Sequence, residues 1–162
     1  MTLTVLAWLA AIPMLGFATG LRTMTPMAVV CWFAYLHHLP IRHSWAFWAA
    51  NIISAIVFTV LALGEYIGDK LPQTPNRTAP GPLVARLVFA GLVGAIVATG
   101  LKGSAVEGII LAALGALVGA FGGYLIRRDL VQWLQCKDWY VAVVEDLVAV
   151  TLAVVAMGIV AG

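Results

Sequence analysis

Glu145 and Asp146 stand side by side in a stretch otherwise built almost wholly of Val, Ala and Leu. A charged residue in an apolar helix costs about 2.5–3.5 kcal/mol at the centre of a bilayer and less toward its surface. Adjacent helical positions point about 100° apart. One carboxylate can therefore line a pathway while the other pairs with a basic residue. Two like charges in a poorly hydrated place also favour sharing a proton, which is the chemistry of a proton carrier. The alternative is an ion pair that only fixes helix packing. Asn51 occupies the corresponding place in an earlier apolar segment, so Asn51, Glu145 and Asp146 form a candidate polar centre.

Two corners carry the next set of candidates: Ala18-Thr19-Gly20-Leu21-Arg22 and Ala98-Thr99-Gly100-Leu101-Lys102. Glycine ends helices cheaply in a left-handed conformation. The helices that follow start at Thr25-Pro26 and near Ser104, and their N-terminal N–H groups favour an anion or an anionic headgroup. Arg22 and Lys102 add positive charge there, unless each simply snorkels to the interface. Glu107 stands where it can meet Lys102 or Arg22. Between residues 65 and 86 lie Glu65, Asp69, Lys70, Arg77 and Arg86, with Pro72, Pro75, Pro80 and Pro82 among them. Fixed φ angles make that connector stiff. Its basic residues are expected to touch lipid phosphates or to gate a cytoplasmic entrance.

His37, His38 and His43 are of the residue type that senses acidity, here on the other side, but no second ligand cluster completes a metal site. Cys31 and Cys136 form neither a disulfide framework nor a metal-binding spacing. The sequence shows no nucleophile–base pair, phosphate loop or zinc signature, and no cofactor is implied. An enzyme is therefore the less favoured reading.

These residues must be positioned by membrane helices. Hydrophobic residues make up 63% of the chain and charged ones 10%, with a mean hydropathy of +1.03. That excludes an ordinary soluble domain. A span needs about 20 apolar residues, and the runs at 3–20, 24–39, 44–64, 83–101, 104–126 and 139–160 are read as six. The start lacks the basic region of a cleaved signal peptide, so the first run is expected to be a retained helix. The fold class expected is all-α, in two three-helix repeats: residues 1–81, including the Pro-rich connector, and residues 82–162. The corners align, and so do Ser44-Trp45 with Asp138-Trp139, Asn51 with Glu145, and Leu63-Gly64 with Met157-Gly158. Halves of three spans must be inverted with respect to each other, a pattern common in transporters.

Arg22, Lys70, Arg77, Arg86, Arg127, Arg128 and Lys137 fall on one side, and only Arg42 and Lys102 on the other. The positive-inside rule makes the first side cytoplasmic and puts both termini outside the cytoplasm. The net charge of +2 reflects this bias and gives no argument for nucleic acid. Trp45, Trp48, Trp133, Trp139 and Tyr140 sit at span ends as interfacial anchors. Gly115, Gly119 and Gly123 recur every fourth residue, a spacing that lets helix backbones approach at the centre of the bundle or on a second subunit. Each half is small, so a homodimer in contact with membrane lipid is expected.

The run from Gly64-Glu65-Tyr66-Ile67-Gly68-Asp69-Lys70-Leu71-Pro72 through Thr74-Pro75-Asn76-Arg77-Thr78, with Gly20-Leu21-Arg22-Thr23-Met24-Thr25-Pro26 and Glu145-Asp146, carries a resemblance. The whole chain resembles small bacterial membrane proteins grouped as domain of unknown function 4126. This implies a bacterial integral protein of the cytoplasmic membrane and brings no substrate or catalytic residue with it. Glu65-Tyr66-Ile67-Gly68-Asp69-Lys70 is also similar to the Glu-x-Gly-Asp-Lys/Arg motif of a cation-transporter family, with one extra residue between Glu and Gly. The function expected is a small transporter or channel-like carrier for a solute or ion, proton-coupled where Glu145 or Asp146 carries the proton. A scaffold that binds partner helices is the alternative.

Overall fold

Glycine and alanine decide how the helices of this chain meet. The computed structural model describes residues 2–69 and 78–162, with side chains from Trp8 onward. In chain order the helices are α1 (Thr2–Leu21), α2 (Met24–Tyr35), a 3₁₀ turn (Phe47–Ala50), α3 (Ile52–Gly68), α4 (Pro80–Gly100), α5 (Ala105–Leu134) and α6 (Asp138–Ala161). No strand occurs among the described residues.

α1 is the hub. It packs most broadly on α5 and also against α6, α4 and α2. A side chain at Gly16 or Gly20 would strike the α5 backbone at Ala112, Ala116 or Gly119, and one at Gly115 or Gly119 would strike the α1 backbone at Pro13 or Phe17. Gly94 of α4 and Gly108 of α5 face each other's carbonyls in the same way. Close approach of backbones replaces the missing hydrophobic drive between helices in an apolar medium. Ala11, Ile12, Leu15 and Ala18 of α1 are wholly buried in the resulting core. The packing expected of Gly115 and Gly119 is therefore present, and Gly123 is buried on the same helix.

Among the described residues, α4, α5 and α6 are long and apolar enough to cross a membrane, and α2 and α3 are shorter apolar helices. The helix bounds correct several sequence expectations. The second run, read as 24–39, ends as a helix at Tyr35. There His37 turns left-handed (φ 67) and His38 N–H closes onto Phe33 O at 2.9 Å. The third, read from residue 44, begins only at Ile52, because Asn51 Oδ1 accepts from Ile53 N–H at 2.9 Å and caps the helix there. α5 extends past the expected end to Leu134, so Arg127 and Arg128 belong to a helix rather than a loop. Pro80 opens the first turn of α4, where its missing N–H costs nothing.

Helix pairs that a repeat would relate differ in extent. α1 packs broadly on α5 but α4 only slightly on α2. α6 lies along α1, while α3 meets α4 through the edge contact of Phe58 on Phe89. α3 otherwise rests on α2 and the 3₁₀ turn, leaving Ile53, Ile56, Val60 and Ile67 exposed.

The α1–α5 contact yields a paired prediction. Gly119→Leu should lower stability by about 3 kcal/mol, at the upper end of overpacking costs, because backbone rather than a flexible side chain stands in the way. Gly122→Leu, one turn-face away with nothing within 4 Å of its added carbon, should be neutral or gain up to about 1 kcal/mol from helix propensity. Thermal melting of the two purified variants in detergent checks this; equal melting temperatures would mean α1 and α5 are not in backbone contact.

Candidate functional site

The α1–α2 corner leaves peptide groups in need of partners. The first N–H groups of α2 have no acceptor within their own helix. The end of α3 supplies one: Glu65 accepts from Thr23 N–H at 2.8 Å through Oε1 and from Met24 N–H at 2.9 Å through Oε2. Tyr66 shares a 2.6 Å hydroxyl hydrogen bond with Thr25, and its ring lies 6.0 Å from the Arg22 guanidinium. One turn further on, Asp69 accepts from Arg22 Nη2 at 2.8 Å. Residues three and four apart are neighbours on a helix surface, so Asp69 adjoins both Tyr66 and Glu65. Glu65, Tyr66 and Asp69 thus clasp the segment 22–25 as a unit.

Arg22 is the centre of the cluster. Its side chain is 0% exposed, and α6 brings it Asp146 Oδ1 at 2.5 Å from Nε, at an angle oblique to the N–H, and Glu145 Oε2 at 3.9 Å from Nη2. Its Nη1 meets no acceptor among the described residues. Arg127 of α5 reaches Asp69 at 2.6 Å and Glu145 at 3.5 Å and takes Asp138 with a two-pronged contact. Arg86 of α4 donates through Nε to Gly20 O at 3.0 Å, satisfying a carbonyl at the end of α1, and lies 3.8 Å from Glu65. Arginines from the α1–α2 corner, α4 and α5 thus meet carboxylates from the ends of α3 and α6.

Beside the cluster, α5 and α6 touch each other little while both lean on α1. The gap is a cavity of about 220 Å³ with Phe17, Leu21, Ile126, Val144 and Val148 in its apolar walls and Arg127 and Glu145 bordering it.

Burial alone would raise the proton affinity of Asp69, which stands just past the end of α3. The hydrogen bonds and positive charges of Arg22 and Arg127 outweigh it and bring the carboxyl down to about 2 from an ordinary 3.8.

Several expectations are corrected by this geometry. Asn51 is not part of the polar centre: it is the exposed N-cap of α3 at the other end of the helix. Arg22 neither snorkels nor awaits an anion, since it is buried on carboxylates. The α2 N-terminus, expected to favour an anion, holds the carboxylate of Glu65. Gly20 and Gly100 do not turn left-handed. Lys102 does (φ 57), and both glycines instead make room for neighbours, Ala116 at Gly20 and Leu39 at Gly100. Thr19 donates back to Leu15 O at 2.8 Å, and Thr99 donates to Ala95 O at 2.7 Å while accepting from Trp45 Nε1 at 3.0 Å. Glu65, Asp69 and Arg86 belong to the cluster rather than to a lipid-facing loop. Lys70 and Arg77, with Pro72 and Pro75, lie outside the described residues. Lys102 and Glu107 are exposed at the opposite end, far along the helices from Arg22.

Glu145 and Asp146 do come together with basic residues. Arg127, Tyr66 and Asp138 are the members that sequence reading leaves out. Arg127 has a visible signal, since it follows directly on the apolar run ending at Ile126. Tyr66 has none beyond its place between Glu65 and Asp69.

No family model, curated protein or solved structure matches the chain. The chemistry of the cluster therefore rests on its own geometry.

The depressed Asp69 sets a pH dependence. A carboxyl lowered on folding contributes stability that is present above its unfolded value and is lost as pH falls toward its folded value. Asp69 should contribute about 2 kcal/mol at pH 7, lost between about pH 4 and pH 2. Asp69→Asn should remove that contribution at pH 7 and flatten this part of the profile. Melting temperatures of both proteins across pH 2–7 provide the check; parallel profiles would show that Asp69 is not held by Arg22 and Arg127.

Proposed function

We propose that this chain is a six-span protein of the bacterial cytoplasmic membrane, akin to the small uncharacterised proteins it resembles, that moves a small solute or ion. In this reading the halves 1–81 and 82–162 are inverted repeats, the termini lie outside the cytoplasm, and two copies associate. The observation that carries it is Arg22, wholly buried at one end of an apolar bundle and bound to carboxylates from two other elements. Charges inside a membrane bundle are expensive and mark pathways or switching elements by default.

The cluster suits a latch at one mouth of the bundle better than a binding site at its middle. Its members arrive from separate helices, and ion pairs of this kind break and re-form as a unit when helices part. Glu145 is the member set apart from the tightest contacts, 3.5 Å from Arg127 and 3.9 Å from Arg22, and in this reading it exchanges a proton or meets a solute when the latch parts. Asp146, on Arg22, is better suited to holding the latch shut.

A scaffold that binds partner helices is the second reading. It is favoured by the arginine contacts that Glu145 and Asp146 already make.

Flux and melting temperature, measured on the same variants in reconstituted vesicles, separate the two. Under the transport reading Glu145→Gln abolishes flux while the melting temperature stays close to that of the parent. Asp146→Asn lowers stability by about 3–5 kcal/mol, the cost of breaking a buried pair by removing one partner. No flux by the parent protein across a panel of ions and small solutes, with both variants merely destabilised, would leave the scaffold.

A further inference from the structure

The gap between α5 and α6 has the shape and chemistry of a lipid site, and we propose that it holds one acyl chain of an anionic phospholipid. Phe17 and Leu21 of α1 form its floor, Ile126 and Leu130 of α5 one wall, and Val144 and Val148 of α6 the other. Leu130 and Val141 line the end toward the α5–α6 turn, and Arg127 and Glu145, paired with each other, border the groove about one turn deeper.

The rim at that end is built for a headgroup. Lys137, just before α6, is exposed and makes no ion pair among the described residues. Arg128 is half exposed, with Asp129 at 2.8 Å, and Asp138 holds Arg127. Trp133, Trp139 and Tyr140 are exposed on the same turns, with the last two stacked at 3.9 Å. Such rings prefer headgroup depth, so the mouth of the groove and the phosphate layer coincide. A phosphate there meets Lys137 and the free side of Arg128 while its chain descends between the helices.

The walls favour a chain over a helix. Close helix association needs small residues, and the exposed sides of this groove carry Ile126, Val144 and Val148. A thin, conformable hydrocarbon fits between them, and each buried methylene adds to its hold. Glu145 borders this groove and also carries the transport reading, so lipid retention and solute flux are read as separate measurements.

Native mass spectrometry of the full chain in detergent, titrated with dioleoylphosphatidylglycerol or dioleoylphosphatidylcholine, tests the proposal. The unmodified protein should retain one phosphatidylglycerol. Val144→Trp, which fills the groove, should weaken retention about tenfold, the loss of roughly two buried methylenes. Val148→Phe serves as a second filler if the first fails to fold, and Val154→Leu, on α6 outside the groove, should change nothing. Lys137→Gln should weaken phosphatidylglycerol about fivefold, as one surface charge warrants, and leave phosphatidylcholine unaffected. Equal retention of the two lipids by the parent, or full retention by both groove-filling variants, overturns the proposal. So does a loss of dimers in Val144→Trp with lipid retention unchanged, which would give the groove to a second copy.

Discussion

A buried guanidinium cannot shed its charge, and that constraint organises one whole end of this protein. Arginine stays protonated in any folded environment, so Arg22 can be wholly buried only where carboxylates are delivered to it. Asp69 comes from the end of α3 and Asp146 from α6. Their positions along those helices follow from the depth of the arginine. Arg127 then neutralises what remains around Asp69 and Glu145, and Asp138 neutralises Arg127 in turn. Each charge is present because of its neighbour. Removing Asp146 costs more than its pair contributes, since Arg22 stays buried with one counter-charge fewer.

The other organising force is contact between small residues. Gly16, Gly20, Gly115 and Gly119 bring the α1 and α5 backbones together, which sets where both the corner after α1 and Arg127 on α5 end up. Packing and electrostatics are therefore not separate layers. Gly20 makes the point in one residue: its missing side chain admits α5, while its carbonyl takes a hydrogen bond from Arg86. The opposite end of the bundle lacks such charges. There Leu39 and Ile41 pack on Gly100, and Trp8 lies against Gly103.

Much of this was legible in the residues, and the failures have definite causes. The glycine spacing on α5 announces close packing because only small residues permit it. Glu145 and Asp146 announce themselves by cost, as charges in an apolar run. The basic residues Arg22, Arg86 and Arg127 sort to one end by the same alternation that sidedness uses. Asn51 was misplaced because an amide at the start of an apolar run caps a helix as readily as it sits inside one, and pattern alone does not separate the two. Gly100 was misread for a related reason. Glycine serves both left-handed turns and close approach, and here Lys102 takes the turn. The clasp of Glu65 on the α2 N-terminus depends on a contact across the chain that no local pattern encodes.

The length of α5 has a consequence for depth. At about 1.5 Å per residue, its 30 residues run about 45 Å, against about 30 Å of hydrocarbon in a typical bilayer. Such a mismatch is relieved by tilt or by protrusion of one end. Trp133 near its far end is 80% exposed, which suits a turn standing among headgroups rather than in oil. On the membrane reading proposed above, counting back from Trp133 puts Arg127 at the boundary between the two phases. On that reading the charges around Arg22 occupy the zone where the dielectric changes most steeply, wet enough on one side for the arrangement to open and dry enough on the other for it to hold.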